Sequence, residues 1–176
     1  MSSINRLNLL LVIIIAVLAA LNFLPTDTEY HPLTSIAPDT IQTITISSQQ
    51  RQLAFKRLDS HQDSHQNLHQ NSLWQLVSSP EQAIDTVTIT KLLGILKTHS
   101  YRQFENTANN LSTFELNAPL YQLKLDDLTI LFGTTDPVQQ HRYVMLNDKI
   151  HLINDLYLQF FLADAPFFFP KNPLEK

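Results

Sequence analysis

The 176-residue chain has no cysteine and only two glycines, Gly94 and Gly133. Without thiols there is no disulfide, no thiolate metal centre and no lipid-modified cysteine, so a core alone must hold the fold. Two glycines leave no loop able to cradle a phosphate, and neither GxGxxG nor GxxxxGK[ST] occurs. Positive charge is scarce too. Beyond Arg6, eleven Lys and Arg stand against sixteen Asp and Glu. That balance lacks the basic stripe that nucleic acid requires and the polybasic segment that grips anionic lipid. No glycine elbow frames a Ser/His/Asp set, and no carboxylate pair stands in a glycosidase setting. The chain reads as a non-enzyme with no catalytic residue and no cofactor.

What it has in abundance is an apolar start. Residues 7–24 are almost wholly apolar, led by Arg6, closed by Pro25 and interrupted only by Asn8 and Asn22. As a helix they would rise about 27 Å, close to the hydrocarbon thickness of a bilayer. Arg6 precedes the run, Asp27 and Glu29 follow it, and the next Lys or Arg is Arg51. This asymmetry places the N-terminus in the cytoplasm and the remainder in the periplasm. A cleaved signal peptide is the alternative, cut at Val17-Leu18-Ala19 or Leu18-Ala19-Ala20. Both sites lie inside the run, and cutting there would leave Leu21 to Leu24 as an apolar new terminus. An uncleaved inner-membrane anchor is therefore preferred.

Three regions follow: residues 1–25 as cytoplasmic terminus and anchor, 26–39 as an extended linker with Pro32 and Pro38, and 40–176 as one periplasmic domain. Ile44 and Ile46 alternate with Thr43, Thr45 and Ser47, which is the two-residue period of a half-buried strand. A turn at Ser48–Arg51 leads to a second strand through Leu53 and Phe55. Residues 59–72 form a polar insertion, after which Leu73 to Val77 resumes a strand that Pro80 should end. Ile89, Leu92, Leu93 and Leu96 fall on one helical face, with Asp85 or Thr86 as N-cap. Gly94 within that helix implies close approach of a neighbouring strand.

Tyr101 to Phe104 reads as a short strand, and Leu111 to Leu116 as a single helical turn. Tyr121–Leu125 and Leu128–Phe132 make a hairpin about Asp126-Asp127. Residues 133–140 read as a loop. A second hairpin, His141–Leu146 with Lys149–Ile153, turns at Asn147-Asp148. Asn154 would cap a last helix over 155–162. The predicted fold is α+β: antiparallel strands and hairpins with two packed helices, arranged as two similar half-units behind one transmembrane helix.

The stretch LFGTTDPVQQHRYVMLNDKIHLI, Leu131 to Ile153, resembles the signature of a bacterial membrane-anchored envelope family, domain of unknown function 4340. An LT-x-I-x-P lead-in (Leu33 to Pro38), a W-x-L strand (Trp74 to Leu76), an LL-x-x-L helix (Leu92 to Leu96) and an F-x-L-x-x-P step (Phe114 to Pro119) follow the family's order. The insertion at 59–72 departs from it. The resemblance implies an envelope protein, of a kind often encoded beside or fused to membrane components of ABC export and gliding-type systems. It brings no catalytic residue. Gly133, Asp136, Pro137, Arg142 and Tyr143 match the signature as positions without a role.

Two further clusters carry possible chemistry. His61, His65 and His69 stand at i, i+4 and i+8, so on a helix their imidazoles would line one face and could share a Zn²⁺ or Cu²⁺. The bland reading is a polar hairpin loop. Phe160, Phe161, Phe167, Phe168 and Phe169 crowd the C-terminal region. The triplet Phe167 to Phe169 is either an exposed contact for a partner or a strap folded over the sheet. The expected function is a membrane-anchored, non-enzymatic docking or accessory subunit of an envelope complex, associated with an ABC-type export system. The rivals are a periplasmic module binding a metal or small ligand, using the histidines or a groove near Arg142, and a hydrolase without a recognisable motif. The expected partners are the inner membrane, through residues 7–24, and an envelope protein.

Overall fold

The computed structural model describes residues 11–14, 32–58 and 73–171. It contains two compact units, Met1–Tyr30 and His31–Lys176. In the first, residues 11–14 are helical with exposed side chains. Among the described residues no helix is long and apolar enough to cross a membrane. Most of the apolar run lies outside them.

The second unit is built on one nine-stranded sheet in which every pairing is antiparallel. The strands are β1 (Thr43–Ser48), β2 (Gln52–Arg57), β3 (Trp74–Leu76), β4 (Ser79–Ala83), β5 (Arg102–Glu105), β6 (Tyr121–Leu125), β7 (Leu128–Thr135), β8 (His141–Leu146) and β9 (Lys149–Asn154). Their spatial order is β4-β3-β2-β1-β6-β7-β8-β9-β5. Two four-stranded meanders, β1 to β4 and β6 to β9, therefore meet at the central β1–β6 pair. Each is followed by a helix: α1 (Thr86–Leu93) after the first, α3 (Leu158–Leu162) after the second. A further short helix, α2 (Ala108–Thr113), follows β5, where a single turn was expected. The mixed α+β class with a large antiparallel sheet and few helices is thus as the sequence predicts.

Alternation decides which face is covered. Cross-strand partners share a face, so Ile44, Ile46, Phe55, Leu123, Leu125, Ile130, Phe132 and Val144 line the front and are all buried. The helices supply Ile89, Leu92, Leu93, Phe160 and Phe161 to the same core. Asp85 starts α1 by accepting from the Val87 and Thr88 N–H groups at 3.0 and 3.2 Å, satisfying two donors that the helix cannot. The Thr88 hydroxyl also donates to it at 2.6 Å and, as the largest cause, holds the Asp85 carboxyl below the usual range.

Several expectations are corrected. Residues 32–39 do not form a free linker: Leu33 is buried, and its N–H donates to the Thr98 carbonyl at 2.9 Å. Pro80 does not end the strand. Val77 and Ser78 turn the chain, and Pro80 sits in the edge strand β4, where a missing N–H is tolerated. At Gly94 no strand approaches, because a Cβ there would lie 3.6 Å from the Tyr157 hydroxyl, an ordinary contact. The helix instead tightens into a 3-10 turn over Gly94–Lys97. β7 runs on to Thr135 through a bulge, shortening the predicted loop. Asn154 makes no side-chain cap, and a 3-10 turn at Asp155–Tyr157 precedes α3.

Candidate functional site

The signature positions gather where β7, β8 and the chain after β9 converge. Gly133 lies in the β7 bulge. A Cβ on it would stand 2.0 Å from the Phe114 carbonyl oxygen and 3.0 Å from Leu116 Cγ, so only glycine lets the chain after α2 lie this close. The neighbouring Thr134 N–H donates to that same carbonyl at 2.9 Å.

Arg142 points to the core face of β8 and is buried. Its Nη1 donates to the Gly133 carbonyl at 2.6 Å. Its Nε and Nη2 donate to the two oxygens of Asp155 at 2.5 and 2.9 Å, a bidentate fork. Asp155, not Asp136, is thus the partner of Arg142. Asp136 shapes its own loop: its carboxylate accepts from the Gln139 N–H at 2.9 Å, and its carbonyl from the Gln140 N–H at 3.0 Å. Pro137 is exposed beside it.

Tyr143 lies on the opposite face, its ring stacked on Phe114 at 3.9 Å, with Phe104 at 5.7 Å from it. Phe104 and Phe114 are themselves 5.3 Å apart. Together with buried Ile150 and Leu116 they form a small apolar cluster on the back of the sheet. Burial, and then the charge of Asp136, raises the Tyr143 phenol above its ordinary value.

A second polar pair went unnoticed in the sequence. Ser100 Oγ lies 2.9 Å from His151 Nδ1, with both residues buried. Burial, and then the charge of Lys149, lowers the His151 imidazole from its ordinary value, which favours its neutral form. Fifty-one residues separate the two, and no spacing rule joins them. At 4 % exposure the serine hydroxyl has almost no surface with which to meet a substrate.

The C-terminal aromatics divide. Phe168 is fully buried, its ring 4.9 Å from Phe55, and its carbonyl accepts the Asp85 N–H at 2.7 Å. Phe169 is half-buried against the core, and Phe167, at 37 % exposure, is the most exposed of the three. As one contact surface the triplet is therefore corrected: a 3-10 turn over Ala165–Phe168 folds the chain back as a strap. Arg51, from the β1–β2 turn, fastens it by donating to the Asp164 carboxylate and the Phe161 carbonyl. Beside this fastening lies an open groove of about 510 Å³, lined by Gln49, Gln50, Leu120, Tyr121 and Leu162 among others.

His61, His65 and His69 lie outside the described residues. The flanks of their insertion are tied together, since the Leu58 N–H donates to the Leu73 carbonyl at 3.0 Å. Among the described residues no group of three or more His, Asp or Glu could hold a metal ion.

Fold and site together define a small α+β domain whose signature residues hold its elements to one another. A family model, domain of unknown function (DUF4340), matches residues 74–175, more than half of the chain. The chain belongs to that family. No curated protein and no solved structure gives a significant match. Residues 33–73, which the sequence resemblance included, lie outside the matched range. β1 nevertheless sits at the centre of the sheet, between β2 and β6.

Proposed function

We propose that this protein is a single-pass inner-membrane protein whose periplasmic domain docks to, or supports, an envelope complex associated with an ABC-type export system, without catalysis of its own. The observation that carries the reading is the join between an eighteen-residue apolar run and a domain whose distinctive polar groups are spent on the fold. Arg142 has three of its donors engaged by Asp155 and Gly133, and Asp136 is engaged by its loop. Such a domain offers shape and surface rather than reactive groups. The partner class rests on family resemblance, an associational warrant. Affinity purification of the full chain from gently solubilised membranes, followed by mass spectrometry, tests it. A membrane protein recovered in constant ratio supports docking. Recovery of the chain alone, together with turnover of a small substrate, would favour a hydrolase instead.

A further inference from the structure

We propose that residues 98–113 form an acid-released flap along the outer edge of β9, latched to the sheet by the contact between Ser100 and His151. Burial defines the flap. From Lys97 to Glu115 only Ser100 is buried, and α2 buries no residue. At one end the chain is fixed where the Leu33 N–H donates to the Thr98 carbonyl, and at the other where the Phe114 carbonyl accepts from Thr134. Between these two points β5, four residues long, is the last strand of the sheet and pairs with β9 alone. An edge element with so little buried surface opens locally at a fraction of the cost of global unfolding.

The other side-chain fastenings of the flap are in or near water. Lys149 donates to the Glu105 carboxylate at 2.7 Å with both side chains exposed, and such a pair holds little. Tyr101 stacks on His141, and half-buried Phe104 lies against Tyr143. Ser100 Oγ and His151 Nδ1, 2.9 Å apart, make the flap's one contact between two buried side chains. That contact is also titratable.

His151 stands on the core face of β9, opposite Val144 of β8 and Gln103 of β5. The charged groups sharing that face are Lys149 on its own strand, Glu105 on β5, which pairs with Lys149, and Arg142 on β8, which Asp155 holds. His99 and His141 flank Tyr101, the next residue of the flap. Burial first, and then Lys149, disfavours a proton on His151 while the flap is closed. Lifting the flap gives the ring to water, where an imidazole binds a proton near its ordinary pKa of 6.5. The closed state prefers the neutral ring and the open state accepts the proton, so acid shifts the balance towards opening. Opening uncovers the outer edge of β9, a row of backbone donors and acceptors able to receive an extended segment.

Hydrogen–deuterium exchange of the full chain in mild detergent, read by mass spectrometry from pH 7.5 to 5.5 and corrected for intrinsic rates, tests the latch. This interval spans imidazole titration and lies above that of ordinary carboxylates. Peptides covering 99–107 should lose protection several-fold across it, with a ceiling of about tenfold for one proton bound at 6.5, while peptides covering β6 and β7 keep theirs. In His151→Asn the flap should exchange independently of pH. Ser100→Ala should raise flap exchange several-fold at pH 7.5 and leave β6 and β7 unchanged. Should His151→Asn not fold, the same pH series on His99→Gln/His141→Gln decides: a retained fall supports His151 and a lost one overturns it. Flap protection constant with pH, an equal loss in β6 and β7, a pH dependence that survives in His151→Asn, or unchanged exchange in Ser100→Ala would each overturn the inference.

Discussion

Gly133→Ala isolates the packing argument in one methyl group. The added carbon would stand 2.0 Å from the Phe114 carbonyl oxygen, a backbone atom that cannot turn aside, and 3.0 and 3.1 Å from two carbons of Leu116. Relief requires the 114–116 segment to lift away from β7. That movement strains the Thr134 to Phe114 hydrogen bond and the Phe114–Tyr143 stack, and tilts the carbonyl that receives Arg142. Overpacking of this kind costs about 1–3 kcal/mol, and a weakened buried hydrogen bond about 1 more. A total near 3 kcal/mol is a large share of the roughly 5–15 kcal/mol that holds a domain together. It corresponds to a fall in Tm of about 6–12 °C for a domain near this size. The internal comparison is Gly94→Ala, where the new carbon meets only the Tyr157 hydroxyl at 3.6 Å in a helical backbone. That change should stabilise by about 0.5–1 kcal/mol. Thermal and urea denaturation of the full chain in mild detergent measures both. A Gly133→Ala protein melting within a degree of the parent would refute the close-approach argument, whatever Gly94→Ala does.

The remaining expectations are as follows. Phe168→Ala should cost about 3–5 kcal/mol, because the ring is fully buried, while Phe167→Ala should cost about 1 kcal/mol or less, and equal losses in urea melts would contradict the strap. Arg142→Met strands Asp155 and the Gly133 carbonyl and should cost about 2–3 kcal/mol, with a smaller loss once Asp155→Leu is added; additive losses would show that the two do not act as a pair. His151 binds a proton less readily folded than unfolded, so its contribution is complete above the ordinary imidazole pKa of 6.5 and is lost as pH falls below it. Stability measured from pH 7.5 to 5 should therefore decline less steeply in His151→Asn than in the parent, and parallel curves would remove His151 as a source. Deleting residues 60–71 should move Tm by only a degree or two, since the flanks are tied by Leu58 and Leu73. Stoichiometric Zn²⁺ binding abolished by replacing His61, His65 and His69 would instead favour the metal-binding rival.

Local structure was legible in the sequence wherever one physical signal dominated. Two-residue alternation marked β1, β6 and β7, and Asn147-Asp148 marked its turn because both residues adopt positive φ there, 47° and 61°. Asp85 announced its helix because a carboxylate before an apolar stripe has an evident use. Long-range pairing was not legible. Nothing in Arg102–Glu105 says that it crosses from α1 to the far edge beside β9, because edge pairing depends on which strand is left unpartnered. Pro80 misled since proline forbids only an interior ladder position, and the sequence does not say which strand is an edge. Asp136 stands six residues from Arg142 in the same signature, yet the β7 bulge and the turn after β9 bring Asp155 to Arg142, a pairing that no sequence spacing announces. The fate of Phe168 was equally hidden. Whether an aromatic beyond Pro166 is strap or surface depends on whether Arg51 and Asp85 stand where they can fasten it.

The account turns on the chain acting from the membrane within a larger assembly. Its most direct test is the native mass of the particle that carries it when membranes are dissolved in mild detergent. The expected result is a discrete particle well above the 20.2 kDa of the chain and its detergent, containing a second membrane protein and absent from the soluble fraction. A particle of a single chain, or recovery in the soluble fraction without detergent, would contradict it.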